Sequence, residues 1–99
     1  MPVLTLDFQE GFTGQAAVVT LDGQALTTLP SVTTRLQIGR AARVEQEVPS
    51  GRHALTVQLE DAATSSSLAL DITGPTFVSA NLANAQLTLH AQSRPFRYA

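Results

Sequence analysis

Along most of this chain apolar and polar residues alternate one for one, in short runs separated by turn residues. A strand sends successive side chains to opposite faces, whereas a helix needs apolar positions three and four apart. The pattern therefore commits the chain to sheets with one dry face and one wet face. Leu4, Leu6 and Phe8 alternate with Val3, Thr5 and Asp7, and Val18 and Thr20 alternate with Val19 and Leu21. Leu55, Val57 and Leu59 alternate with Ala54, Thr56, Gln58 and Glu60 in the clearest run. Leu68, Leu70 and Ile72 share one face of a later run, and Leu87 and Leu89 oppose Thr88 and His90 in the last. No segment sustains an apolar stripe at helical spacing, although ANLANAQL has the composition for one helical turn.

Turn chemistry divides the runs. EGFTG ends the first, and Asp22-Gly23 ends QAAVVTLDG, because both residues tolerate the positive φ of a tight hairpin turn. QAAVVTLDG is expected near the centre of a sheet or bridging two layers. QALTTLPS is a shorter extended piece broken at Pro30, which lacks a ladder donor and suits an edge or a corner. VTTRLQIG and RAARVEQEV, joined through Gly39-Arg40, read as a hairpin, with Arg43, Glu45 and Glu47 on one side of the second run and Ala42, Val44, Gln46 and Val48 on the other. DAATSSS is small and polar, suited to a mobile hairpin tip or a crossover between sheets. Gly74-Pro75 stops the next run and NLANA bends the chain before the last. Strands at roughly 8 to 12 residue spacing predict a single antiparallel β-sandwich of about seven to eight strands. It is expected to span residues 1–93, with residues 94–99 as a C-terminal tail or edge segment.

VVTLDGQALTTLP followed by VPSGRHALTV, within residues 18–59, resembles a PEGA-type surface repeat: a strand, an Asp-Gly turn, a Thr-x-Pro element and a Gly-x-His strand opening. More broadly the chain is similar to immunoglobulin-like or prealbumin-like sandwich domains. That resemblance implies a spacer, an adhesion module or an accessory domain, and the implication is one of fold rather than site. The cysteine and tryptophan of true immunoglobulin domains are absent.

Composition excludes several activities. The chain has 99 residues, enough for one thin core, and no cysteine, so the fold stands on apolar burial without disulfides or thiolate chemistry. Only 14% of residues are charged, and the net charge of -2 offers no basic footprint for nucleic acid. All six cationic residues are Arg, so no Lys is present to form a Schiff base. No run approaches the roughly 18 apolar residues of a membrane span. MPVLTLDFQEGF lacks the basic and long apolar regions of a secretory signal. A cytoplasmic location is the default expectation, with surface exposure or export left open, and no membrane insertion is expected.

The candidate chemistry is sparse. His53 follows Gly51-Arg52 in the phase of Leu55, Val57 and Leu59, which predicts a half-buried packing histidine with one ring nitrogen on a nearby carbonyl. His90 lies on a polar phase, so the two histidines are not expected to share a face, and no nearby carboxylate completes a two-histidine metal site. Asp7, Asp22, Glu60, Asp61 and Asp71 are scattered. Asp22 and Asp61 are read as turn caps, and calcium at Asp22 or at Glu60 with Asp61 is the lesser reading. Ser65, Ser66 and Ser67 lie in no Gly-x-Ser-x-Gly elbow, and neither histidine has an orienting acid nearby in sequence.

The expected function is therefore a noncatalytic module that needs no cofactor and binds another protein or its own copy, a homodimer included. The alternative is a small carbohydrate- or surface-ligand-binding accessory domain, disfavoured by the absence of Trp and the single Tyr. An enzyme or metal protein ranks last. Arg94, Phe96, Arg97 and Tyr98 are the expected protein contacts, being of the residue types enriched at interface hot spots. Edge strands with little charge point the same way: VVTLDG and LQIG carry little, whereas RVEQEV carries three charged residues.

Overall fold

The computed structural model describes residues 1–33, 42–59, 64–84 and 86–94. Their strands are β1 (Val3–Phe8), β2 (Thr13–Leu21), β3 (Gln24–Thr33), β4 (Ala42–Glu47), β5 (Gly51–Leu59), β6 (Thr64–Ile72), β7 (Thr76–Ala83) and β8 (Gln86–Gln92). They form two four-stranded sheets, in the orders β4-β1-β7-β8 and β3-β2-β5-β6. The chain is an all-β sandwich, as its alternation predicts. Among the described residues no helix is long and apolar enough to cross a membrane.

The core lies between the inward phases of the two sheets. Leu4, Leu6 and Phe8 of β1 with Val78 and Ala80 of β7 meet Ala17, Val19 and Leu21 of β2 and Leu55, Val57 and Leu59 of β5, all of them buried. At nearly every position these are the residues that the alternation assigns to one face. β2 is central, between β3 and β5, as its doubly apolar run suggests, so VVTLDG is not the low-charge pairing edge that its composition also suggests. Asp22 and Gly23 both have positive φ, 51° and 83°, which makes the β2–β3 connection the expected tight turn.

Several expectations are corrected. The sandwich is not wholly antiparallel, because β1 pairs with β7 in parallel. Parallel neighbours need a long crossover, and here everything from β2 to β6 supplies it. The hairpin read between VTTRLQIG and RAARVEQEV falls largely on residues outside the described ones. Val32 and Thr33 end β3, residues 34–41 lie outside the described residues, and β4 pairs with β1 in the opposite sheet. β4 is held there by Val44 packed on the core and by a pairing of Arg43 with Asp7 that local sequence cannot reveal. Pro30 does not break the strand but lies within β3, which among the described residues is an edge, the setting its missing donor suits. Thr64–Ser67 are not a loop tip but the first half of β6, with Ser65, Ser66 and Ser67 opposite Gln58, Val57 and Thr56. The Thr56 and Ser67 hydroxyls lie 2.9 Å apart, so cross-strand hydrogen bonding offsets the weak strand propensity of serine. No helical turn forms in ANLANAQL among the described residues. β7 runs to Ala83, and Asn84, with φ 52°, turns the chain.

Two polar features position the sheet containing β1. Asp7 is fully buried on its outer side, and the Arg43 guanidinium grips it through Nε–Oδ1 at 2.7 Å and Nη2–Oδ2 at 2.9 Å. A bidentate pair of this kind fixes β4 against β1 in one register. Beyond β1 the chain continues along β7: the Gln9 N–H donates to the Ala80 carbonyl at 2.8 Å, and the Leu82 N–H donates to the Glu10 carbonyl at 2.9 Å. Gly11 sits in this seam with φ +90°, and a Cβ there would lie 1.7 Å from the Leu82 carbonyl oxygen. Its turn delivers Phe12 into the core, edge-on to Phe8 at a centroid distance of 5.3 Å.

Two stability predictions follow from these contacts and are read from urea unfolding midpoints. Gly11→Ala, facing both the positive φ and the Leu82 carbonyl, lowers stability by roughly 2–4 kcal/mol. Arg43→Met, which removes the guanidinium from a buried carboxylate, costs about 2 kcal/mol. The exposed neighbour Glu45→Met changes stability by less than about 0.5 kcal/mol.

Candidate functional site

The titratable side chains gather at the end of the sandwich where β2 turns into β3 and β5 begins. His53 occupies an inward position of β5 just before the closed core, and its side chain is 11% exposed. Its Nε2 lies 2.7 Å from the Pro49 carbonyl, the nearby carbonyl that strand phase predicts. Its Nδ1 lies 2.5 Å from Oδ2 of Asp22, an orienting acid that sequence proximity does not supply because 31 positions separate the two. The other carboxylate oxygen of Asp22 accepts the Ala54 N–H at 2.8 Å, and the Asp22 N–H donates to the Ala54 carbonyl at 2.9 Å. Asp22 thus caps the turn, as expected, and also closes a latch across three segments: the β2–β3 turn, the segment before β5, and β5 itself.

The protonation state follows from the partners. A carboxylate and a carbonyl can only accept, so both ring nitrogens must donate, and the arrangement is complete only for the imidazolium. A neutral ring would turn a lone pair toward one of the two oxygens. The hydrogen bond to Asp22, followed by that to Pro49, accordingly raises the His53 pKa above its ordinary 6.5. The same bond, followed by the Ala54 N–H, holds Asp22 below its ordinary 3.8. In this geometry neither ring nitrogen has a lone pair free to take a proton from a substrate or to bind a metal.

Beside the latch lies a surface depression of about 400 Å³, lined by Asp22, Arg52, His53, Ala54, Leu70 and Asp71 among others. Its two acids are matched by two cationic groups, so it carries no net field for an ion of either sign. It contains no aromatic platform for a sugar.

His90 lies in the other sheet and is exposed, so the two histidines do not share a face. The register does place Arg43, Asp7, Ser79 and His90 in one row across the outer side of that sheet. These include the residue types of a nucleophilic triad. Their order is wrong for one, however: Ser79 separates the acid from the histidine, its hydroxyl reaches the His90 backbone carbonyl at 3.5 Å, and Asp7 is engaged by Arg43. The Asp22 oxygens considered for calcium are occupied by His53 and Ala54, while Glu60 and Asp61 lie outside the described residues. Among the described residues no three His, Asp or Glu side chains converge as a metal site requires. Of the expected contact residues, Arg94 is exposed just beyond β8, with its carbonyl accepting from Gln92 Nε2 at 2.7 Å. Phe96, Arg97 and Tyr98 lie outside the described residues.

Sequence reasoning missed the pairing of His53 with Asp22 and that of Asp7 with Arg43. An Asp-Gly turn and a strand-opening histidine are each visible, but nothing local joins them. Compared with family models, with curated proteins and with solved structures, the chain matches none.

Linkage gives the latch a pH signature. The Asp22 contribution is complete above pH 3.8 and is lost as pH falls through its lowered pKa. The His53 contribution is complete below pH 6.5 and is lost as pH rises through its raised pKa. The melting temperatures of the parent chain and His53→Gln should therefore differ most between pH 3.8 and 6.5 and converge at higher pH. A gap that stays constant from about pH 5 to 9 would show that the imidazolium is not the stabilising species.

Proposed function

We propose that this chain is a noncatalytic β-sandwich module that binds another protein or a second copy of itself. The observation that carries the reading is that, among the described residues, both sheets are open. Each ends in two edge strands, β4 and β8 in one and β3 and β6 in the other. Such edges present unpaired backbone groups that natural proteins blunt or cover with a partner. The latch supports a noncatalytic role, since it directs both ring nitrogens of His53 to structural acceptors. Strand order supports the prealbumin-like side of the resemblance. In the immunoglobulin constant-type arrangement the first strand shares a sheet with the second, fourth and fifth, whereas here β1 lies with β4, β7 and β8. Arg94, Phe96, Arg97 and Tyr98 remain the proposed contact segment, with Arg94 exposed where that segment begins.

Light scattering over a concentration series tests self-binding. The expected result is a mass that rises from monomer to dimer, and a lower dimer fraction once residues 94–99 are removed. A monomer mass at every concentration overturns self-binding. A dimer fraction unchanged by the truncation overturns residues 94–99 as the contact.

A further inference from the structure

Asp22-Gly23 is the one place in the chain where an aspartate or asparagine precedes glycine; Asp7, Asp61, Asp71, Asn81 and Asn84 are followed by Phe, Ala, Ile, Leu and Ala. Glycine has no side chain to shield its amide nitrogen, so that nitrogen can close a five-membered ring on the preceding side-chain carboxyl. Both residues are exposed in the turn between β2 and β3, and a Cβ added to Gly23 would meet nothing within 4 Å. Composition and exposure alone would make this peptide bond the first in the chain to age.

The latch opposes that reaction in three ways. Ring closure expels one carboxylate oxygen of Asp22, and both are in use: Oδ2 lies 2.5 Å from Nδ1 of His53, and Oδ1 accepts the Ala54 N–H at 2.8 Å. Whichever oxygen leaves, a charge-assisted hydrogen bond must break. The Asp22 N–H is tied to the Ala54 carbonyl at 2.9 Å, so the turn is restrained together with its side chain. The oxygen departs as water only from a protonated carboxyl, whereas the bond to His53 keeps that carboxyl ionised.

We propose that Asp22-Gly23 is a site of succinimide and isoaspartate formation, and that the His53 latch keeps it closed in the folded chain. The Gly23 nitrogen attacks Cγ of Asp22. An N–Cγ bond forms and a Cγ–O bond breaks, and the expelled oxygen leaves as water with the amide proton and the carboxyl proton. A second water opens the ring. Its attack at Cγ restores aspartate, and its attack at the Asp22 carbonyl carbon routes the main chain through Cγ as isoaspartate. The sum is an isomerisation, with mass unchanged and no redox partner. Isoaspartate adds a methylene to the main chain of a two-residue turn whose flanks, Leu21 and Gln24, are paired, and it shortens the arm of the carboxylate by one carbon. His53 and the Ala54 N–H then lose their acceptor, so the modification releases this end of the sandwich and the latch does not re-form.

The parent chain, His53→Gln, His53→Leu, Arg43→Met and a synthetic peptide of residues 18–27 are held warm side by side below pH 6.5, where the imidazolium is present. Peptide mapping separates the isoaspartyl from the aspartyl form. The parent should accumulate isoaspartate at least about tenfold more slowly than the peptide, because attack waits on an opening that breaks hydrogen bonds to charged groups. Both His53 variants should accumulate it about fivefold faster than the parent, glutamine by losing the charge and leucine by losing the donor. With two variants, the result does not hang on either one folding. Arg43→Met weakens the other sheet and should keep the parent's rate. A parent as fast as the peptide overturns the guard. His53 variants no faster than the parent, or an Arg43→Met chain as fast as they are, overturn His53 as its source.

Discussion

Every other feature of this protein depends on two apolar faces closing on each other. Without cysteine, the chain relies on apolar contact to hold its layers together, chiefly that of β1 and β7 with β2 and β5. The period of a strand is two, so a slip of one residue in any of these strands would turn Leu6, Val19 or Val57 to solvent and a polar neighbour into the core. That intolerance sets the register of the strands. It also brings together pairs distant in sequence, such as Asp7 with Arg43 and Asp22 with His53.

The two ion pairs refine this frame in different ways. Asp7 and Arg43 lie on the outer side of a sheet and tie β4 to the central strand β1. A buried carboxylate is costly unless it is paired, so the pair contributes more to register than to net stability. Asp22 and His53 close the end of the sandwich, where the core thins and backbone groups of the turn need partners. Both pairs consume the chemistry that their side chains might otherwise offer. What the fold leaves unspent is backbone, along the sheet edges, and this is why the functional reading moves from side-chain chemistry to assembly.

Much of the fold is legible in the residues. The strands, the inward phase of Leu4, Leu6, Phe8, Val19, Leu55, Val57 and Leu59, the Asp22-Gly23 turn and the half-buried state of His53 all follow from alternation and turn chemistry, because these are local properties. The errors share one cause. The supposed loop at Thr64–Ser67 and the supposed break at Pro30 each concern which strand lies beside which. A serine run reads as a loop until β5 is laid beside it, and Pro30, read from sequence as suiting an edge, breaks no strand because β3 takes that edge among the described residues.

The sequence by itself determined that this protein is an all-β sandwich and which face of its clearly alternating strands is buried, since a side chain's preference for water acts wherever the strand lies. Only the tertiary structure decided that β1 and β7 run parallel, that β4 crosses to the opposite sheet, and that Asp22 meets His53. Those outcomes depend on contacts between segments tens of residues apart. Such contacts are selected by the packing of the whole core, and no local pattern encodes them.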